Sequence, residues 1–85
     1  MAQGNVDNPS FPVSLLERIT ANPDVRFGKP CIRGHRITVQ EILAWLSGGA
    51  SQDQILIDYP QLEPADFLAV FAYAAELVRR KASRE

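Results

Sequence analysis

The sequence predicts a mainly α domain, three helices preceded by a short β-hairpin or β-arm. Three observations carry this expectation. From Thr38 onward, three stretches show helical grammar, each with its own start or stop signal. Before them, residues 18–37 are short extended pieces broken by Pro23, Gly28, Pro30 and Gly34. A chain of 85 residues with 46% hydrophobic content has material for one small core and not two.

Residues 1–13 are rich in Asn, Pro, Gly and Ser, and are read as a flexible tail that orders only against another surface. Residues 14–81 form a single domain, and 82–85 a second short tail. "SLLE" places Ser14 three residues before Glu17, a capping-box pattern for one helical turn ahead of the β-branched pair Ile19 and Thr20. A strand near residues 18–20 and a second extended piece within "CIRGHRI" complete the hairpin.

The period then changes. "TVQEILAWLSGG" has Thr38 as N-cap, Glu41 at the third helical position, and Val39, Ile42, Leu43 and Leu46 on one face, with Gly48 and Gly49 as the stop. "SQDQILIDYP" repeats this pattern with Ser51 as cap, Gln54 as its box partner, Asp53 in the first turn and Pro60 beyond the end. Its "ILI" run alone fits a buried strand, but the two boundary signals favour a short helix. The third helix starts at Pro64, a residue suited to the first helical position. It runs to about Lys81, with "RRK" at the negative end of its dipole.

This third helix is unusually apolar. Within "ADFLAVFAYAAELV" the charges are Asp66 and Glu76, and the apolar residues spread beyond the single stripe of a monomeric surface helix. Two readings are open. The helix is the central core element of a small domain, or it also carries a second face packed against a symmetry mate. The second reading makes the protein a homodimer with Phe67, Val70, Phe71, Ala74 and Val78 at the interface.

A formal net charge of −1 hides a polarised chain. "RFGKPCIRGHRI" carries Arg26, Lys29, Arg33 and Arg36 without an acid, whereas Ile37 to Val78 contains six acids and no Lys or Arg. Such asymmetry speaks of partners and long-range field. Arg26, Lys29, Arg33, His35 and Arg36 are therefore the candidate partner- or phosphate-binding residues. One reading bonds Arg33 or Arg36 to the domain's own carboxylates, folding the hairpin onto the helices. Another has Lys29, Arg33 and Arg36 bind phosphate around a Gly-containing turn.

Enzymatic chemistry is not expected. Cys31 and His35 lack a third orienting group, and with one Cys and one His a closed zinc site would need two chains. Trp45 and Tyr59 sit at helical positions among apolar residues and are read as packing. No Walker-type loop, HExxH, signal peptide or membrane span is recognisable, so no cofactor, metal or membrane is expected and the chain is placed in the cytoplasm.

The run "NPDVRFGKPCIRGHRITVQEILAWLSGGASQDQILIDYPQLEPADFLAVFAYA" resembles the prokaryotic family of small domains known as domain of unknown function 433. The likeness rests on Gly-Lys-Pro, an apolar pair, Arg-Gly-x-Arg-Ile, a helix ending in Gly, "DYP" and a final apolar helix, over about residues 16–80. It implies a homeodomain-like helix-turn-helix fold and, for many members, an antitoxin role beside a PIN-like nuclease toxin. Here His35 stands where the family usually has Thr, Thr38 where it often has Pro, and Arg26-Phe27 replaces a Gly-containing pair. The resemblance also implies a third use of the loop: a guanidinium placed among the metal-binding carboxylates of such a nuclease would displace the cation.

In a DNA-reading helix-turn-helix, the second helix presents its first side chains to base edges. Here that helix opens with Glu63, Pro64, Ala65 and Asp66, so any DNA contact falls to the basic loop and the C-terminal cations. The expected function is thus an antitoxin-like interaction module that binds and neutralises a PIN-like nuclease, with weak operator binding possible. The alternatives are a free-standing DNA-binding transcriptional regulator and a small scaffold.

Overall fold

The computed structural model describes residues 13–82. In chain order it contains a one-turn helix α1 (Val13–Leu16), strand β1 (Ile19–Thr20), a 3-10 turn (Arg26–Gly28) and strand β2 (Cys31–Ile32). Helices α2 (Val39–Ser47), α3 (Gln52–Asp58) and α4 (Pro64–Ala82) follow. The fold is mainly helical, three helices preceded by a two-stranded antiparallel hairpin. Of the expected tails, Val13 belongs to α1 and Ala82 ends α4; residues 1–12 and 83–85 lie outside the described residues.

The hairpin pairs Ile19 with Ile32 and Thr20 with Cys31. Strands of two residues have little stability of their own, so the hairpin is held by what it buries, and Ile32 is fully buried. A tight turn follows at once. The His35 N–H donates to the Ile32 carbonyl at 2.7 Å, and Arg33 and Gly34 both take positive φ, 44° and 77°. That is the pattern of a type I′ turn, for which glycine is well suited. The Ile32 N–H then donates to the Ile37 carbonyl at 3.0 Å, and Thr38 bridges Cys31, which carries the chain directly into α2.

The Thr38 capping box forms in both directions: the Glu41 amide donates to Thr38 Oγ1 and the Thr38 amide to Glu41 Oε1, each at 3.0 Å. Only half of the expected box forms at α3. Ser51 Oγ accepts from the Gln54 amide, but the Gln54 side chain turns forward along its own helix to Asp58, an i,i+4 partner. Ser14, the expected cap of α1, lies inside that one-turn helix, and α1 packs on α4.

One core gathers the hairpin and all three longer helices: Ile32, Ile37, Val39, Ile42, Ile55, Leu62, Phe67 and Val70. α4 is its central element, with Asp66, Phe67, Ala69, Val70 and Ala72 buried. Of the five residues expected at a dimer interface, Phe67 and Val70 therefore belong to the chain's own core and Ala74 is half-buried. Phe71 and Val78 are exposed. At the mouth of the core Trp45 stacks on Tyr59 with ring centroids 4.7 Å apart and planes 8° from parallel, joining α2 to the end of α3.

The buried charge is Asp66, with 0% exposure. As the third residue of α4 it accepts the Glu63 amide on Oδ2 at 2.8 Å, closing the helix N-terminus. Arg33 meets it as a fork, Nε to Oδ1 and Nη2 to Oδ2, both at 3.0 Å. Arg18 Nη1 donates to Oδ1 at 2.9 Å and also reaches Glu63. Each carboxylate oxygen thus receives two hydrogen bonds, which fills the acceptor capacity of the group. Burial pushes its pKa up, yet the bonds from Arg33, the Glu63 amide and Arg18 outweigh that cost and hold it below its ordinary value. The same direction holds for Glu41, through the Thr38 amide and Arg26, with burial opposing.

A carboxylate whose folded pKa is depressed contributes stability at neutral pH that is lost as pH falls through that pKa. Unfolding free energy should therefore be flat from neutrality to about pH 5 and fall below about pH 4, near the unfolded-state carboxylate pKa. Asp66→Asn should cost roughly 2 to 4 kcal/mol at pH 7, as expected for one partner removed from a buried pair. Denaturant titration across pH measures both. The deficit of the variant should shrink in acid; a deficit independent of pH would remove Asp66 ionisation from the account.

Candidate functional site

The five loop residues divide into two groups by what their side chains touch. Arg33 is committed to Asp66 and additionally donates from Nη2 to the Gln61 carbonyl at 2.7 Å, tying the hairpin to the α3–α4 connection. Its guanidinium is held more firmly protonated, chiefly by the Asp66 hydrogen bond. Arg26 Nη1 lies 3.1 Å from both oxygens of Glu41 and 2.8 Å from the Arg36 carbonyl, so it braces the capping box of α2. Arg33 thus follows the reading in which the loop folds onto the domain's own acids, and Arg26, which that reading did not name, does so where Arg36 does not.

Lys29, His35 and Arg36 form the second group. Among the described residues their side chains make no hydrogen bond or ion pair. Lys29 and Arg36 are exposed and His35 is half-buried. Arg36 and His35 border a cleft of ≈380 Å³ completed by Arg26, Ile37, Glu41, Trp45, Tyr59 and Gln61. Its floor is the edge of the aromatic stack and its rim is cationic.

Phe27 was not foreseen as a surface feature. It is 94% exposed at the tip of the loop, and its backbone is left-handed, as are those of its neighbours: φ is 49° at Arg26, 60° at Phe27 and 80° at Gly28. Residues with a Cβ carry a cost of about 1 to 2 kcal/mol in this conformation, and Arg26 recovers its share through Glu41 and the Arg36 carbonyl. Phe27 has no such compensation. The signal in the sequence was the replacement of a Gly-containing pair by Arg26-Phe27 just before Gly28, since glycine is the residue that adopts positive φ without strain.

Cys31 is buried and its thiol donates to the Lys29 carbonyl at 3.2 Å, a packing role. Among the described residues no group of three or more His, Cys, Asp or Glu is arranged to hold a metal ion. No helix among them is long and apolar enough to cross a membrane. The start of α4 turns Asp66, Phe67, Ala69 and Val70 inward and leaves Glu63, Pro64 and Leu68 outside, an acidic and apolar set. Such a surface offers no side-chain donor to a base edge.

This division has a measurable consequence. Arg33→Ala should lower stability by roughly 2 kcal/mol or more and Arg26→Ala by about 1 kcal/mol, because each leaves a carboxylate short of a partner. Lys29→Ala and Arg36→Ala should fall within about 0.5 kcal/mol of the parent, as exposed sites do. Chemical denaturation of the four variants distinguishes the two groups, and equal losses at Arg33 and Arg36 would erase the distinction.

A family model described as "Protein of unknown function (DUF433)" matches residues 19–74. No curated protein gives a match. Among solved structures, the chain is similar to the crystal structure of a DUF433 member protein from Anabaena variabilis ATCC 29413, with 29% sequence identity and a TM-score of 0.68. That similarity covers 85% of this chain and 72% of the other. The matched span contains the hairpin, the type I′ turn at Arg33-Gly34, the capped helices and Asp66 at the head of α4, and by that match the chain belongs to the DUF433 family.

Proposed function

We propose that this domain is a non-enzymatic interaction module of the antitoxin kind, which binds a PIN-like nuclease and neutralises it through the tip of the basic loop. The observation that carries this reading is Phe27, a fully presented aromatic ring on a left-handed turn, beside the uncommitted cations Lys29 and Arg36. Strain retained at one surface residue points to function. An aromatic anchor flanked by cations suits a protein partner with an acidic cleft, since aromatic and Arg side chains dominate binding energy at such interfaces. Arg33 is occupied by Asp66, so Arg36 is the guanidinium free to meet the nuclease's metal-binding carboxylates. The alternative of a free-standing DNA-binding regulator is weakened by the acidic and apolar outer surface at the start of α4.

The test is titration of a co-encoded PIN-like nuclease with purified variants, reading RNA cleavage. Parent protein should inhibit stoichiometrically. Phe27→Gly should weaken inhibition by roughly 10- to 100-fold, the scale of an interface hot spot, while leaving the fold as stable or up to about 1 kcal/mol more stable, because glycine relieves the positive φ. Arg36→Ala should weaken inhibition comparably, and Arg36→Lys should restore it in part, since an ammonium lacks the planar fork. Full inhibition by the Phe27→Gly, Arg36→Ala double variant would sink the proposal.

A further inference from the structure

The outward face of α4 is apolar along its length. Pro64, Leu68, Phe71, Ala75, Val78 and Ala82 follow one another at spacings of four, three, four, three and four residues, and all are exposed. Leu68 is 58%, Phe71 42% and Val78 67% exposed. Because the rest of the helix circumference packs on the domain from Ala65 to Tyr73, this seam is the part of α4 that remains available there. A seam at these alternating spacings is the a/d repeat by which one helix packs lengthwise on another.

The geometry points to a second copy of this chain as the occupant: we propose that two protomers associate through this seam with their α4 helices antiparallel about a two-fold axis at Tyr73. The argument is one of self-complementarity. With the axis at residue 73, Phe71 faces Ala75 of the second copy and Ala75 faces its Phe71, so a large ring meets a small residue twice. Leu68 and Val78 likewise pair reciprocally, as an isologous contact requires. A parallel arrangement would set Phe71 against Phe71 and Ala75 against Ala75, leaving a clash and a gap on the same seam.

Charge agrees. Parallel packing gathers Arg79, Arg80 and Lys81 of both copies at one end. The antiparallel register offsets the two clusters by some 14 residues, about 20 Å at helical rise, beyond the Debye length at physiological salt. Antiparallel helix dipoles also oppose one another favourably. From Leu68 to Val78 the seam is about 15 Å long, so the contact belongs with small, weak interfaces. The seam shares no residue with the loop assigned to the nuclease, so this inference stands apart from that reading.

Sedimentation equilibrium of the full chain over micromolar concentrations tests it. The parent should approach twice the chain mass. Ala75→Lys and Val78→Lys, both at exposed positions, should weaken association at least tenfold with unchanged far-ultraviolet circular dichroism. Orientation is read by cross-linking. Phe71→Cys chains mixed with Ala75→Cys chains should form the mixed disulfide, while neither variant alone links to itself; Cys31 is buried and does not compete. A parent that stays monomeric, because residues 1–12 or a different protein cover the seam, overturns the proposal. So does association that survives Ala75→Lys, or self-linking of Ala75→Cys.

Discussion

The fold depends on one carboxylate. Asp66 is the point at which the hairpin, the α3–α4 connection and the central helix are joined, because Arg18, Arg33 and the Glu63 amide converge on its two oxygens. Two strands of two residues could not hold a register by ladder hydrogen bonds alone. The guanidinium fork supplies the missing specificity, and the type I′ turn at Arg33-Gly34 aims it. The Arg-Gly pair thus has a structural meaning: glycine permits the turn, and the arginine uses it to reach across to α4.

The polarisation of charge along the sequence is largely cancelled in space. Six acids with no base between Ile37 and Val78 look like a repulsive surface when read linearly. In the folded chain Asp66 is buried among cations, Glu41 caps α2 and pairs with Arg26, and Glu76 pairs with Arg79 and Arg80. What remains of the basic loop is smaller and more localised than its composition suggests, and it lies around Phe27, Lys29 and Arg36. Internal neutralisation and outward display thus share one loop.

Helix boundaries were legible because they are set by local chemistry. Thr38 with Glu41, Ser51, Gly48 and Pro64 each act within four residues, and each stands where the pattern puts it. The hairpin was legible from its breakers and β-branched residues. Less legible was which loop arginine is bound and which is free, since that depends on contacts 15 to 33 residues apart in the chain. The sequence showed that α4 has apolar residues on two sides, but not which side faces inward, because Phe67 and Val70 differ from Phe71 and Val78 by direction alone. The left-handed run at Arg26 to Gly28 escaped because two of its three residues are ones that disfavour it.

The stack of Trp45 on Tyr59 gives the molecule a built-in optical reporter. Trp45 is the single tryptophan of the chain, and its ring lies nearly parallel to a second chromophore carried by the segment that ends α3. Its emission and the near-ultraviolet ellipticity of the coupled rings therefore register the seating of α2 against that segment and the basic loop that shares their cleft, and not the C-terminal turns of α4. Far-ultraviolet ellipticity sums all the helices, with the 19 residues of α4 as its largest contribution, and so registers α4 as well. Any partial opening that frees one half of the domain before the other will separate these two signals, so the chain carries its own test of whether it unfolds as a unit.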